Sequence, residues 1–242
     1  MIVLRSAAFT TFFFVVTLTL LFAGWLFLWL PRPTFRRYIQ LWPRIVYPAM
    51  KLLIGVDIEV RGRERVPPGP VIYASKHQSA WETMFFIWLN ADTAYVMKKE
   101  LTYIPFWGWY MRRCRHVVVD RTAGASAMRD MIRVAREILA EGRSIAIFPQ
   151  GTRTAPGEGS ERVPYHPGVA ALYTQTGATV VPVALNSGMF WPRRSFIKRP
   201  GTLIVEFLDP IPPGMDRKVF AAVVEERIES RTRLLETQAG SA

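Results

Sequence analysis

From Ala7 to Leu30 the chain carries no charged residue. A helix of that length would be roughly 36 Å long at about 1.5 Å per residue. Arg5 precedes the stretch, and Arg32, Arg36 and Arg37 follow it. A cleavable signal peptide is disfavoured, because its apolar region would be shorter and no small-x-small site leads into a polar start. A core helix fits poorly as well, because this stretch is apolar on every face. The stretch reads as a membrane anchor. By the positive-inside rule its arginines put the bulk of the chain on the cytoplasmic side. Residues 32–55, RPTFRRYIQLWPRIVYPAMKLLIG, mix Trp, Tyr and Leu with Arg and Lys. Such a segment either lies at a bilayer surface or turns the first helix back into a hairpin that inserts without spanning. Both readings stay open. The chain divides accordingly into an anchoring segment, 1–54, and a globular domain, 55–242.

The globular part is basic. Of the chain's 31 Lys and Arg, residues 1–30 hold one, and they hold no acid, so 30 basic residues face 19 acidic ones in the remainder. That balance suits an anionic membrane surface, a phosphate-bearing substrate or nucleic acid. The single Cys114 excludes an internal disulfide and any multi-cysteine metal site, and it fits a reducing compartment.

Beyond residue 55, short β-rich runs alternate with helical patterns. The runs are PVIYAS (70–75), TAYVMK (93–98), RHVVVD (115–120), SIAIFP (144–149), TVVPVAL (179–185) and TLIVEFL (202–208). Several are continuously apolar, as expected of strands covered on both faces. Between the third and fourth, Met128, Met131, Ile132, Ala135, Ile138 and Leu139 form a stripe at helical spacing, with Gly142 as terminator. GVAALYTQTG and DRKVFAAVVEERIESRTRLL read as two further helices. The pattern predicts an α/β sandwich on a mixed, largely parallel sheet, and ligands in such folds sit at the C-terminal ends of strands.

Candidate chemistry falls at those ends. His77 follows the first run, and Glu82 stands five residues on, in KHQSAWE. Within one regular helix the pair would point roughly 140° apart. They meet only if His77 lies in the loop and Glu82 in the first helical turn, where the carboxylate would fix the imidazole's tautomer. FPQGTRT sets Gly151 and Thr152 beside Arg153, a turn whose N–H groups and guanidinium can hold an oxyanion or a phosphate. Asp120 and Arg121 end another strand, and Lys98 and Lys99 a third. Each cation alone could simply pair with a surface acid; their shared placement at strand ends is the informative feature.

Taken together, HQSAWE, VVVDR, FPQGTR and VPVAL, in that order, resemble the four motifs of the glycerolipid acyltransferases. The resemblance is greatest to the bacterial 1-acyl-glycerol-3-phosphate acyltransferases and covers residues 55–215. It implies a glycerolipid-acyltransferase-like αβ sandwich preceded by a membrane helix or helical hairpin. It implies His77 as general base and Glu82 as its orienting acid. Lys98, Arg121 and Arg153, with the turn at Gly151 and Thr152, would hold the acceptor's phosphate, and Pro182 would serve the acyl-donor side. The implied reaction moves an acyl chain from acyl-CoA or acyl carrier protein to the sn-2 hydroxyl of lysophosphatidic acid at the membrane, with no cofactor or metal. Lyso-ornithine lipid, or another lysophospholipid, is the alternative acceptor. Three positions depart from the family pattern: Glu82 stands where Asp is usual, Gln150 where Glu is, and Arg115 where Gly is common. Two rivals are weaker. A hydrolase using Ser79 or Cys114 lacks the G-x-S-x-G elbow. A membrane-tethered nucleic-acid binder lacks a recognised module, and the aromatics cluster at the membrane end.

Overall fold

A computed structural model describes residues 1–240. Helix α1 (Ile2–Trp25) is followed by α2 (Arg32–Ile39) and α3 (Leu41–Ala49), which a π turn extends through Met50–Ile54. The rest of the chain is β1 (Val56–Arg61), β2 (Ile72–Ser75), α4 (Trp81–Leu89), β3 (Ala94–Lys98), α5 (Trp107–Cys114), β4 (Val117–Val119), α6 (Gly124–Ala140), β5 (Ile145–Ile147), α7 (Gly168–Thr176), β6 (Val180–Leu185), the short α8 (Ser187–Phe190), β7 (Gly201–Phe207) and α9 (Arg217–Gly240).

The seven strands form one sheet in the order β1-β7-β6-β2-β5-β3-β4. Every pairing is parallel except that of β6 with β7. The mixed, largely parallel sandwich read from the sequence is therefore present. Parallel pairing through β2, β5, β3 and β4 puts four consecutive strand ends on one edge, so four loops open side by side. Helices α6, α7 and α9 cover one face through Met131, Ala135, Val169, Phe220 and Ile228. Helix α4 and the N-terminal helices cover the other through Phe9, Val46, Met50, Trp81 and Phe85.

Strand β1 is absent from the sequence reading. It is an edge strand with alternating burial, so Val56, Ile58 and Val60 leave only a short period-2 signal among charged residues. The departure from the family pattern at Arg115 has a structural setting. This residue ends α5 with φ 56°, a left-handed conformation that glycine adopts without penalty and other residues rarely do. Its guanidinium is tied to Glu137 at 2.6 Å and to Glu141, contacts a glycine would lack.

Residues 32–54 fold back along α1 as a helical hairpin. Trp42 Nε1 donates to Thr17 Oγ1 at 3.0 Å, Tyr38 to the Leu20 carbonyl at 2.6 Å, and Arg5 Nε to the Leu53 carbonyl at 2.8 Å. Helix α1 therefore runs antiparallel to α3, and Arg5, which lies within it, is not left without a partner. The α/β body holds both ends of α1. Lys198 N donates to Ser6 Oγ at 2.9 Å, Trp191 meets Phe9 and Phe13 edge-on, and Arg113 Nε donates to the Leu28 carbonyl at 3.0 Å. The opposite flank, including Val3, Leu4, Phe14, Val15, Leu18 and Phe22, is exposed and apolar.

This two-sidedness gives a direct contrast. Phe9→Ala removes a fully buried ring and should lower stability by about 3–5 kcal/mol, seen as a fall in the Tm of detergent-solubilised protein. Phe14→Ala, on the open flank, should leave Tm unchanged. Equal Tm values for the two variants would contradict the packing of α1 described here.

Candidate active site

Strand β2 delivers His77 into the turn before α4, and Glu82 lies in the first turn of that helix. The Glu82 side chain has no exposed surface. Its carboxylate accepts from the backbone N–H of Gln78 at 3.1 Å and of Ser79 at 3.0 Å, and from the Ser187 hydroxyl. The oxygen Oε2 lies 3.3 Å from His77 Nδ1. The loop-and-first-turn arrangement required by the sequence is therefore the one adopted.

The imidazole is fixed on a second side by Phe148, whose ring stacks on it at 4.0 Å with a 17° tilt. The His77 backbone carbonyl accepts from Thr154 N at 2.8 Å. With Nδ1 turned to Glu82, Nε2 is the ring nitrogen left for chemistry. His77 lines a cavity of about 590 Å³ that opens at the C-terminal edge of the sheet. Because alternate residues of β3 face opposite ways, the cavity straddles that edge. Tyr95, Met97, Trp107 and Met111 line it on one side, and Val96, Val119, Met128 and Met131 on the other.

Lys98, Arg121, Gly151, Thr152 and Arg153 all line this same cavity. Among the described residues no carboxylate pairs with Lys98, Arg121 or Arg153, whereas the neighbouring Lys99 is taken up by Asp120 at 2.9 Å. Hydrogen bonds from Thr122 and Lys99 hold the Asp120 carboxyl down at about 2. Three cations without an acid partner among the described residues thus stand around one opening. Arg121 Nη2 donates to the Gly151 carbonyl at 3.3 Å, joining two of the strand ends. Gly151 has φ 62°, a conformation that favours glycine, and a Cβ there would displace the Arg121 guanidinium.

Pro182 does not join this group. It lies buried in β6 opposite Ala74, and its carbonyl accepts from Leu208 N at 2.9 Å. Gln150 also turns away, donating through Nε2 to the Val163 carbonyl at 3.0 Å and so tying down the loop after Arg153.

Two cavity residues escaped the sequence reading of the site. His166 sits against Gly151, and burial, then the charges of Arg121 and Lys98, lower its pKa. A neutral imidazole there adds a hydrogen-bond donor without further positive charge. His116 Nδ1 accepts from Tyr95 N at 3.1 Å, and burial with Arg143 and Arg36 nearby pushes its pKa down to about 3. Neither has a local motif, and only the fold brings them to the cavity. The alternative nucleophiles are poorly placed. Ser79 is fully buried and its Oγ accepts from Trp81 N at 3.2 Å. Burial raises the Cys114 thiol to about 11, which keeps it protonated near neutrality.

The fold and site together define an α/β protein in which a histidine–carboxylate pair stands beside three clustered cations. Residues 57–186 match the family model described as Acyltransferase. The chain belongs to the acyltransferase family, as its motifs imply. It is 34% identical over 174 residues to a 1-acyl-sn-glycerol-3-phosphate acyltransferase of Pseudomonas aeruginosa, covering 72% of this chain and 66% of that one. It is 31% identical over 185 residues to the enzyme of the same name from Limnanthes alba, covering 75% and 64%. The chain thus spans a little under two thirds of the length of these relatives. The crystal structure of the 1-acyl-sn-glycerophosphate (LPA) acyltransferase PlsC from Thermotoga maritima superimposes with a TM-score of 0.74 over 98% of both chains. At 23% identity this likeness speaks for the fold.

A pH prediction follows from His116. Its folded pKa lies below the ordinary 6.5, so the unfolded chain takes up the proton first. Stability is fully present above about 6.5 and declines as the pH falls from there. His116→Gln should flatten that decline in denaturant titrations between about pH 6.5 and 4.5. An equally steep decline in the variant would show that His116 does not contribute to it.

Proposed function

We propose that the protein transfers an acyl chain from an acyl thioester, acyl-CoA or acyl carrier protein, to the sn-2 hydroxyl of 1-acyl-glycerol-3-phosphate, making phosphatidic acid. The observation that carries this reading is one cavity bordered by His77, three unpaired cations and apolar walls. His77 Nε2 takes the hydroxyl proton while Glu82 stabilises the imidazolium that forms. The acceptor oxygen attacks the thioester carbonyl, the tetrahedral intermediate collapses, and the C–S bond breaks. The departing thiolate then takes the proton back from His77. Lys98, Arg121 and Arg153 hold the acceptor phosphate with the Gly151–Thr152 turn, and the apolar walls receive acyl chains. Pro182, remote from the cavity, would act on the acyl-donor side only through the β2–β6 pairing that sets the His77 loop.

The exposed apolar flank of α1 supports membrane association, with residues 1–54 as the anchoring segment and 55–242 as the acyltransferase domain. Since the α/β body holds α1 at both ends, the flank would sit in one leaflet rather than the helix crossing the bilayer. Arg32 and Arg37, with the reduced Cys114, support a cytoplasmic placement at the inner membrane.

His77→Ala should reduce the transfer rate by about 10²–10⁴-fold in a protein with wild-type Tm. Near-normal turnover would end the assignment. Arg121→Ala and Arg153→Ala should act differently, weakening use of the acceptor while the thioester KM stays unchanged. A charge-assisted hydrogen bond contributes roughly 1.5–3 kcal/mol, so acceptor kcat/KM should fall by about tenfold to over a hundredfold. Lysine at either position should restore part of it, because the charge returns without the bidentate fork. If both variants retained full acceptor efficiency, the phosphate cradle would be wrong.

A further inference from the structure

The two residues flanking the base both send their side chains to the same helix, α9, beyond the residues that match the family model. Lys76 is only 1% exposed, and its ammonium donates to both oxygens of Glu229 at 2.8 Å. The Tyr165 hydroxyl donates to Glu229 at 3.0 Å as well. On the other side of His77, Gln78 Nε2 donates to Glu236, and Gly188 N donates to the Gln78 side-chain carbonyl at 3.1 Å.

The loop that carries the cradle is fastened to the same groups. Gly157 N donates to the second oxygen of Glu236 at 3.0 Å, and Lys76 Nζ donates to the Glu158 carbonyl at 3.0 Å. Glu229 and Glu236 are seven residues apart, close to two helical turns, so they share one face of α9. Each carboxylate therefore contacts the residue on one side of His77, and Glu236 also contacts the loop that begins at Gly151–Arg153.

A buried ion pair is seldom more stable than an apolar pair of similar volume, so stability alone does not account for Lys76 and Glu229. Their contacts are directional and run between the two halves of the site. We propose that Glu229 and Glu236 are positioning residues that set the separation between His77 and the cationic turn, acting through Lys76, Gln78 and Gly157. This rests on the acyl-transfer reading above. It gives α9 a role in the reaction in addition to packing against the sheet.

The test compares Glu236→Ala, at a half-buried position, with Glu226→Ala, an exposed acid on the same helix. Glu236→Ala should keep the wild-type Tm and thioester KM while acceptor kcat/KM falls about ten- to a hundredfold, the range produced by a small misplacement of reacting groups. Glu226→Ala should behave as wild type. Lys76→Met/Glu229→Met should hold its Tm and still lose acceptor efficiency; a purely structural role would let activity follow Tm. Full acceptor efficiency in Glu236→Ala and in the double variant, or an equal rise in both KM values, would overturn the proposal. If Glu236→Ala does not fold, Glu236→Gln is measured in the same way. Hydrogen exchange at the Gln78 and Ser79 amides provides a readout independent of turnover. Faster exchange in Glu236→Ala supports the clasp even if no lysolipid is a substrate, and unchanged exchange overturns it.

Discussion

The buried carboxylate of Glu82 is the interaction on which the site depends. A carboxylate with no exposed surface is strongly unfavourable unless donors replace the lost water. Here two turn amides and the Ser187 hydroxyl do so. Those donors can converge only if the chain reverses tightly between His77 and α4, so satisfying Glu82 dictates the turn. The turn in turn places the imidazole beside Oε2. One buried charge thus fixes the loop, starts the helix and orients the imidazole. The longer side chain of Glu, where the family commonly has Asp, is met by Ser187, which opens α8 just beyond β6.

The cradle is the opposite kind of feature. Lys98, Arg121 and Arg153 repel one another, and among the described residues no acid relieves them. Nearby positive charge elsewhere is handled differently: Lys99 has Asp120, and His166 is kept neutral. Like charges gathered by three parallel strand ends are a local destabilisation that an anion would remove. That is the expected signature of a binding site rather than of a stability element.

Much of the fold was legible because β2, β5 and β6 are buried on both faces and read as unbroken apolar runs. The His77–Glu82 pair was legible because both partners fall within one short motif. Edge strand β1 was not, since alternation over six residues resembles a charged loop. The hairpin stayed open because an all-apolar helix gives no periodic hint of which flank packs; Trp42, Trp191 and Arg113 decide that from distant positions. Ser187 and Glu236 lie 105 and 158 residues from the groups they bind, and no local pattern links them. Pro182 belongs to a recognisable motif, yet the fold places it in the sheet interior.

If His77 acts as a base only in the orientation Glu82 imposes, the two residues form one functional unit, and their losses should not multiply. The decisive measurement is a double-mutant cycle on acyl transfer with His77→Ala, Glu82→Gln and the combined variant. The account predicts a double variant no slower than His77→Ala alone. A double variant slower by the product of the two single losses would mean that Glu82 acts independently of the imidazole, contradicting the arrangement described here.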